Sequence, residues 1–478
     1  MSQPDRRRWI ALLLLCMVQF MVVLDIAIVN VALPSIKIDL GFSQENLQWV
    51  ISAYSLVFGG FLLLGGRLAD LLGRRRVFMV GLVIFTVGSL LCGLAWSEGS
   101  LIAARALQGL GAATISPAAL SILTTTFREG RERNIALGAW GAVGGVGAAA
   151  GVLLGGVLVE LFSWPWIFYV NVPVGVVSLI AAPILLDESR DERESSFDVL
   201  GAILVTSGLS TLVLGITKGN DWGWSSGRTL AVFALAAVLL AGFVGQESRS
   251  PHPLMPFSIF RLQTLTAANI VMFIMGTALF SMFLMLTLYM QQVLGFSPLR
   301  TGIGYLAVAG TAIIWANVAA ALVNRVGVKP TLVTGMSVMT LGLVLFAQVS
   351  VDGSYWKNLL PGFLVIGFGM PLAFVSLTIA ALAGTRPDEA GLASGLINTS
   401  QQIGGAVGIA ILSAIASATT SDAVSSGTPV SAALTEGFRD AFWAGAAVTF
   451  VGVIVSVVLV RQRDFATAAA LEPASEAA

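Results

Sequence analysis

Two cysteines and one histidine are all that this sequence offers to thiol or imidazole chemistry. Cys16 and Cys92 both fall inside long apolar runs, which excludes a disulfide framework and a CxxC metal or redox motif. His252 stands between Pro251 and Pro253 with no second histidine or cysteine to share a metal, so it is read as a loop residue. No metal and no cofactor is expected. Charge is equally scarce: Asp, Glu, Lys and Arg make up 11% of 478 residues and cancel to zero, against about 25% in soluble domains. A neutral chain carries no bulk basic field, so nucleic acid is not expected as a partner. An enzyme or a receptor would need a catalytic constellation or a folded soluble domain. The short polar segments supply neither, and the chain is not read as an enzyme.

Apolar residues are abundant instead, at 56% of the chain with a mean hydropathy of +0.88. They come in blocks close to the ~20 residues that a helix needs to cross ~30 Å of hydrocarbon. Runs bounded by charges or Gly/Pro clusters predict spans at 9–33, 47–69, 77–96, 100–123, 135–159, 166–186, 198–217, 228–246, 265–290, 300–323, 330–349, 358–382, 391–416 and 439–460. The expected fold class is therefore an all-α polytopic membrane protein of fourteen spans, embedded in a lipid bilayer. The run after Arg6–Arg8 is read as the first span and not as a signal peptide, because no small-residue cleavage site follows it. Fifty-two glycines fit close helix approach in lipid better than they fit soluble helices.

Arginine orients the chain. With the N-terminus in the cytoplasm, Arg6–Arg8, Arg67, Arg74–Arg76, Arg128, Arg131, Arg133, Arg190, Arg193, Arg249, Arg261, Arg325, Lys329, Arg386, Arg461 and Arg463 all fall inside. An odd span count would scramble that bias, so both termini are expected in the cytoplasm, with the loop Ser417–Gly437 external. The first and last six spans also align with each other. Gly66, Leu68, Asp70, Gly73 and Arg75 fall on Ala320, Leu322, Asn324, Gly327 and Lys329, Gly109 and Gly111 on Gly367 and Gly369, and Gly147 and Gly151 on Gly404 and Gly408. The domain reading is a six-helix bundle over 1–190, two additional helices with linkers over 191–262, a second six-helix bundle over 263–463, and a cytoplasmic tail over 464–478 expected to be disordered. Repeated halves place the site of a secondary transporter between them.

Asp25 and Arg105 are the ionisable residues that lie well away from a span end, and Asp25 is read as the only buried carboxyl. Each is costly in hydrocarbon and is a functional candidate for that reason. Burial disfavours the charged carboxylate and a nearby guanidinium favours it, which suits a proton-loading group; a permanent structural ion pair is the alternative. Gly147, Gly151 and Gly155 put one glycine per turn on a single face of span 5, read as a sliding face or as tight packing. Met272 and Met275 in span 9 and the amides Asn398, Gln401 and Gln402 in span 13 are candidate cavity residues, together with Asn30 and Gln108.

Gly66-Arg67-Leu68-Ala69-Asp70-Leu71-Leu72-Gly73-Arg74-Arg75-Arg76 matches loop motif A of the major facilitator superfamily, and Arg105-x-x-Gln108-Gly109-x-Gly111 matches its motif B. The stretches from Leu24 to Pro34 and from Trp164 to Pro173 resemble segments of the fourteen-span drug:proton antiporter family, and the likeness runs over nearly the whole chain. The resemblance implies the major facilitator fold, two pseudo-symmetric six-helix bundles plus two extra central helices. It also implies a multi-pass plasma-membrane protein, acting as a monomer, that exports amphipathic drugs, antibiotics or secondary metabolites in exchange for protons by alternating access. A proton-coupled importer of a small solute on the same fold is the alternative. Asp25 would be the coupling acid, Arg105 its tuning cation, and Gly66, Asp70, Gly73 and Arg74 a cytoplasmic latch, with Asp70 capping a second-half helix. Val152 stands where the family's span 5 motif usually has proline. No acid is read inside spans 9 to 14, which favours neutral, zwitterionic or monocationic substrates.

Overall fold

A computed structural model describes residues 3–127, 131–189, 198–251, 253–382, 385 and 390–460. Arg128, Arg190, Arg193, His252, Arg386, Arg461, Arg463 and the tail 464–478 lie outside the described residues, as do the side chains of Arg6, Arg131 and Asn324. Among the described residues, fourteen helices are long and apolar enough to cross a membrane. They are α1 (Gln3–Leu40), α2 (Trp49–Leu72), α3 (Arg74–Gly93), α4 (Glu98–Thr126), α5 (Arg131–Leu161), α6 (Asn171–Leu185, after a one-turn helix Trp166–Tyr169) and α7 (Val199–Trp222). The series continues with α8 (Gly227–Arg249), α9 (Gln263–Leu288), α10 (Pro298–Val326), α11 (Val328–Phe346), α12 (Leu360–Leu382), α13 (Ala390–Ser425) and α14 (Val430–Leu459).

All fourteen expected spans coincide with a helix, but several helices, α1, α5, α13 and α14 among them, run further into the polar segments than the apolar runs do. The expected loop Ser417–Gly437 shrinks most, because α13 continues to Ser425 and α14 begins at Val430. The stretch between is rich in Ala, Ser and Thr, so it ends the apolar signal without ending the helix. A helix needs internal hydrogen bonds and not lipid.

The halves repeat in their packing. In the first half α1 lies on α5 and α6, α2 on α4, and α3 on α4 and α6; in the second, α9 lies on α13 and α14, α10 on α12, and α11 on α12 and α14. The contacts between halves, α2 with α13 and α5 with α10, exchange under the same correspondence. Aligned glycines fill equivalent places. Gly73 and Gly327 take φ of +107° and +93° at the sharp turns after α2 and α10, a backbone region that side-chain-bearing residues avoid. A Cβ on Gly111 would meet backbone of Phe85 in α3, and one on Gly369 would meet backbone of Gly335 in α11.

The additional pair α7–α8 is a hairpin in which α7 packs on both α2 and α13. A Cβ on Gly60 of α2 would fall 2.0 Å from Thr206 Oγ1 of α7, and the Asn220 amide of α7 donates to the Ala414 carbonyl of α13 at 2.8 Å. The hairpin thus spans one seam between the bundles. Its ends also revise the reading of buried acids. Asp198 caps α7 through the Gly201 amide at 2.7 Å and is 5% exposed, while Glu247 in the last turns of α8 is 3% exposed and accepts from the Met255 amide. Asp25 is therefore not the only buried carboxyl. Among the described residues it is the one buried far from any helix end.

Candidate functional site

Asp25 lies on α1 where α2, α3, α4 and α6 converge, and its side chain is 0% exposed. Arg105, 1% exposed on α4, donates Nη1 to Asp25 Oδ2 at 2.7 Å. The other carboxylate oxygen accepts two amides, Gln108 Nε2 at 2.7 Å and Asn171 Nδ2 at 2.8 Å. Gln108 follows Arg105 by three residues, one helical turn, so the two side chains share a face and can hold the same acid. Gln108 itself is anchored at both ends, accepting Arg105 Nη1 at 2.6 Å and donating to Ser89 Oγ at 2.8 Å. The Cys92 thiol also points at the Gln108 carbonyl oxygen, at 3.6 Å.

The guanidinium has uncharged partners besides the acid. Nε donates to the Val50 carbonyl at 2.9 Å, Gln108 Oε1 accepts as described, and the Tyr54 ring lies 4.3 Å from Cζ, close enough for a cation–π contact. A buried charge with hydrogen-bond partners on every side differs energetically from one that depends on a single counter-ion.

Of the candidate cavity residues Gln108 joins this cluster, and the others fall elsewhere. Asn30 donates to the Ile26 and Ala27 carbonyls of its own helix at 3.2 and 3.3 Å and takes no part in the cluster. Met272 and Met275 are fully buried in the second bundle's core and present no surface in this conformation. Adaptable methionines belong in cores as readily as in cavities. Asn398 is exposed and tied to the Ser394 carbonyl, Gln401 is half-buried, and Gln402 is 5% exposed with an Nε2 that has no partner among the described residues.

Gly147, Gly151 and Gly155 face α1, opposite Val23, Ala27 and Ile28. The span 5 glycines therefore flank the helix that carries Asp25. Residues that the reading left without a role complete the site: Asn171, Ser89, Tyr54 and the Val50 carbonyl. Asn171 stood in the quoted stretch before span 6, as a lone amide at the head of an apolar run, and that polarity was the available signal.

The loop motif forms a second cluster. Asp70 accepts from Arg74 at 2.9 Å and from Ser121 Oγ at 3.3 Å, with both partners in the first bundle. The expected cap on a second-half helix is absent among the described residues in this conformation. Glu188, after α6, accepts the Arg75 amide at 3.1 Å, and the Ser189 carbonyl accepts the Arg74 amide at 2.9 Å, so the segment leaving the first bundle pins the motif loop. Meanwhile the bundles touch at the opposite side of the membrane. Gly156 of α5 sits against Leu299 of α10, the Leu299 amide donates to Glu160 at 3.0 Å, and Gln291 donates to the Val31 carbonyl at 2.8 Å. The bundles thus meet on the side away from the loop motif.

A family model described as Major Facilitator Superfamily matches residues 15–409. The puromycin resistance protein of Streptomyces alboniger is 39% identical over 87% of this chain and 83% of its own length. The cephamycin export protein of Amycolatopsis lactamdurans is 39% identical over 93% and 91%. Among solved structures, a bacterial homologue of the human lysosomal transporter Spinster, in an inward-facing and unoccupied conformation, superposes with a TM-score of 0.68 at 16% identity, covering 98% of this chain and 99% of that one.

Proposed function

The chain belongs to the Major Facilitator Superfamily, and on that footing we propose that it exports amphipathic antibiotics or related small molecules in exchange for protons. One observation carries the proton part. If Asp25 is neutralised, Arg105 keeps the Val50 carbonyl, the Gln108 oxygen and the Tyr54 ring, so the acid can lose its charge without leaving a stranded buried cation. Substrate and proton then compete through the conformation of one carrier, which is what exchange requires. The substrate class follows the relatives, whose names specify resistance to puromycin and export of cephamycin, and the scarcity of acid in the second bundle. The acids on α14 are Glu436 and Asp440, both in its outer turns, so a dication would find no second acid at mid-membrane to join Asp25.

Topology follows arginine. We place the loop motif and both termini in the cytoplasm of a cell whose plasma membrane holds the protein, with the extracellular side closed in this conformation. Purified protein in vesicles under an imposed pH gradient is expected to accumulate puromycin or another amphipathic monocation against its gradient. Collapse of the gradient by a protonophore should stop it, and uptake indifferent to the gradient would overturn the reading.

The latch is testable separately. In the present conformation Asp70 bonds within its own bundle, and rocking would bring it to the start of a second-half helix, whose positive end favours an anion. Asp70→Asn removes that favourable end-state while leaving a neutral partner for Arg74 here. Spin labels on the cytoplasmic ends of α2 and α13 should then show a population shifted toward the longer separation. Distances identical to wild type would reduce the motif to a topology signal.

A further inference from the structure

Resting on the proton-site reading, the question is where the proton of a neutral Asp25 points. Its neighbours are not equivalent. Arg105 has donors only and cannot accept. Gln108 could turn its amide over only by setting its NH2 against the Arg105 Nη1 donor and taking the acceptor away from the Cys92 thiol. Asn171 makes one side-chain hydrogen bond among the described residues, the one to Asp25 Oδ1, although it is 1% exposed. Its final torsion joins a tetrahedral to a planar carbon, so rotation between the two amide orientations crosses no deep well.

We propose that Asn171 is the positioning residue of the proton switch: its amide donates Nδ2 to the Asp25 carboxylate and turns over to accept on Oδ1 when Asp25 takes up its proton there. Without an acceptor, the new O–H would be a buried unsatisfied donor, and loading would carry that cost on every cycle. The charged or titratable groups around Asp25 are Arg105 from α4, Tyr54 from α2 and Cys92 from α3. α5 faces α1 with glycines and α9 carries no ionisable residue; Arg300 and Tyr305 of α10 turn to Phe296 and Thr287. Arg105 and Arg300 have donors only, and among the described residues no hydrogen bond joins Tyr54 or Cys92 to Asp25, whose partners are Arg105, Gln108 and Asn171.

The test compares Asn171→Leu, Asn171→Ser and Asp25→Asn with wild type in reconstituted vesicles, recording export across pH. Infrared difference spectra between high and low pH are taken on protein carrying isotope-labelled asparagine. Leu can neither donate nor accept, and export should fall roughly ten- to a hundredfold at every pH, the worth of a hydrogen bond to a charged group. The Ser hydroxyl does both and should recover most of it with the wild-type pH profile. Labelled wild type should show an asparagine carbonyl band that moves on acidification and is missing from Asn171→Ser. Wild-type rate and profile in Asn171→Leu would overturn the proposal. So would an unmoved asparagine band while the Asp25 carboxyl band appears, and this spectrum decides alone should Asn171→Leu fail to reach the membrane. Uphill export by Asp25→Asn would sink the proton-site reading and this one with it. A dead Asp25→Asn beside a normal Asn171→Leu would remove only the role of Asn171.

Discussion

Asp25→Asn is expected to reach the membrane in normal amount and to lose pH-gradient-driven export completely. The substitution imitates the protonated acid permanently, so the carrier has no group that is charged in one state and neutral in the other. Removing one member of a buried ion pair commonly costs about 3–5 kcal/mol, because the remaining charge is stranded. Here Arg105 retains the Val50 carbonyl, the Gln108 oxygen and the Tyr54 ring, and the new amide keeps an oxygen at the Oδ2 position. The loss of stability should therefore fall well below that range. Binding of a neutral substrate should survive, whereas binding of a monocation should weaken by about 1–3 kcal/mol if the carboxylate is also its counter-ion. Arg105→Ala makes the informative contrast. It takes away the charged partner and leaves the acid its two amide donors, so the pair that the cycle must make and break is gone and export should fail there too. Asp25→Asn protein that still concentrates substrate under an imposed proton gradient would refute this account.

The number and type of helices were legible because hydrocarbon thickness sets the length of each apolar run, and fourteen runs became fourteen helices. Their ends were not, since the Ala-, Ser- and Thr-rich end of α13 is polar and helical at once. Asp25 and Arg105 were legible for the opposite reason: a charge amid lipid-compatible sequence stands out, and its cost argues for use. Gln108 followed through the turn of helix it shares with Arg105. Asn171 and Ser89 come from α6 and α3, far away in sequence, and an uncharged polar residue near a helix end announces nothing about what it faces. The Asn30 amide is equally silent in the sequence about its partner, which is the backbone of its own helix. Glu188 was invisible as a partner of the loop motif, since nothing local says that the segment after α6 returns to the turn before α3.

Gly151→Val is expected to abolish export as nearly as Asp25→Asn does, through geometry alone. An added Cβ at Gly151 would stand 2.7 Å from Ala27 Cβ and 2.9 Å from the Leu24 carbonyl oxygen, so α1 and α5 must separate. Those two α1 residues bracket Asp25, whose oxygens sit 2.7–2.8 Å from three donors on α4 and α6. A shift of even ~1 Å breaks such an arrangement, and displacements of that size around reacting groups cost on the order of a hundredfold in rate. Overpacking should also lower stability by about 1–3 kcal/mol. Gly147 grades the series: its added Cβ meets side chains alone, Val23 at 3.2 Å and Phe20 at 3.5 Å, which can yield, and Gly147→Ala should export nearly as well as wild type. Whether this face slides or merely packs can be separated by a compensating change. Ala27→Gly removes the nearest obstacle to Gly151→Ala, so the double variant should regain both thermal stability and export if packing is the whole role. Stability regained without export would assign the glycine face to the motion between states. Wild-type export by Gly151→Val would show that α1 does not need its present seat on α5 at all.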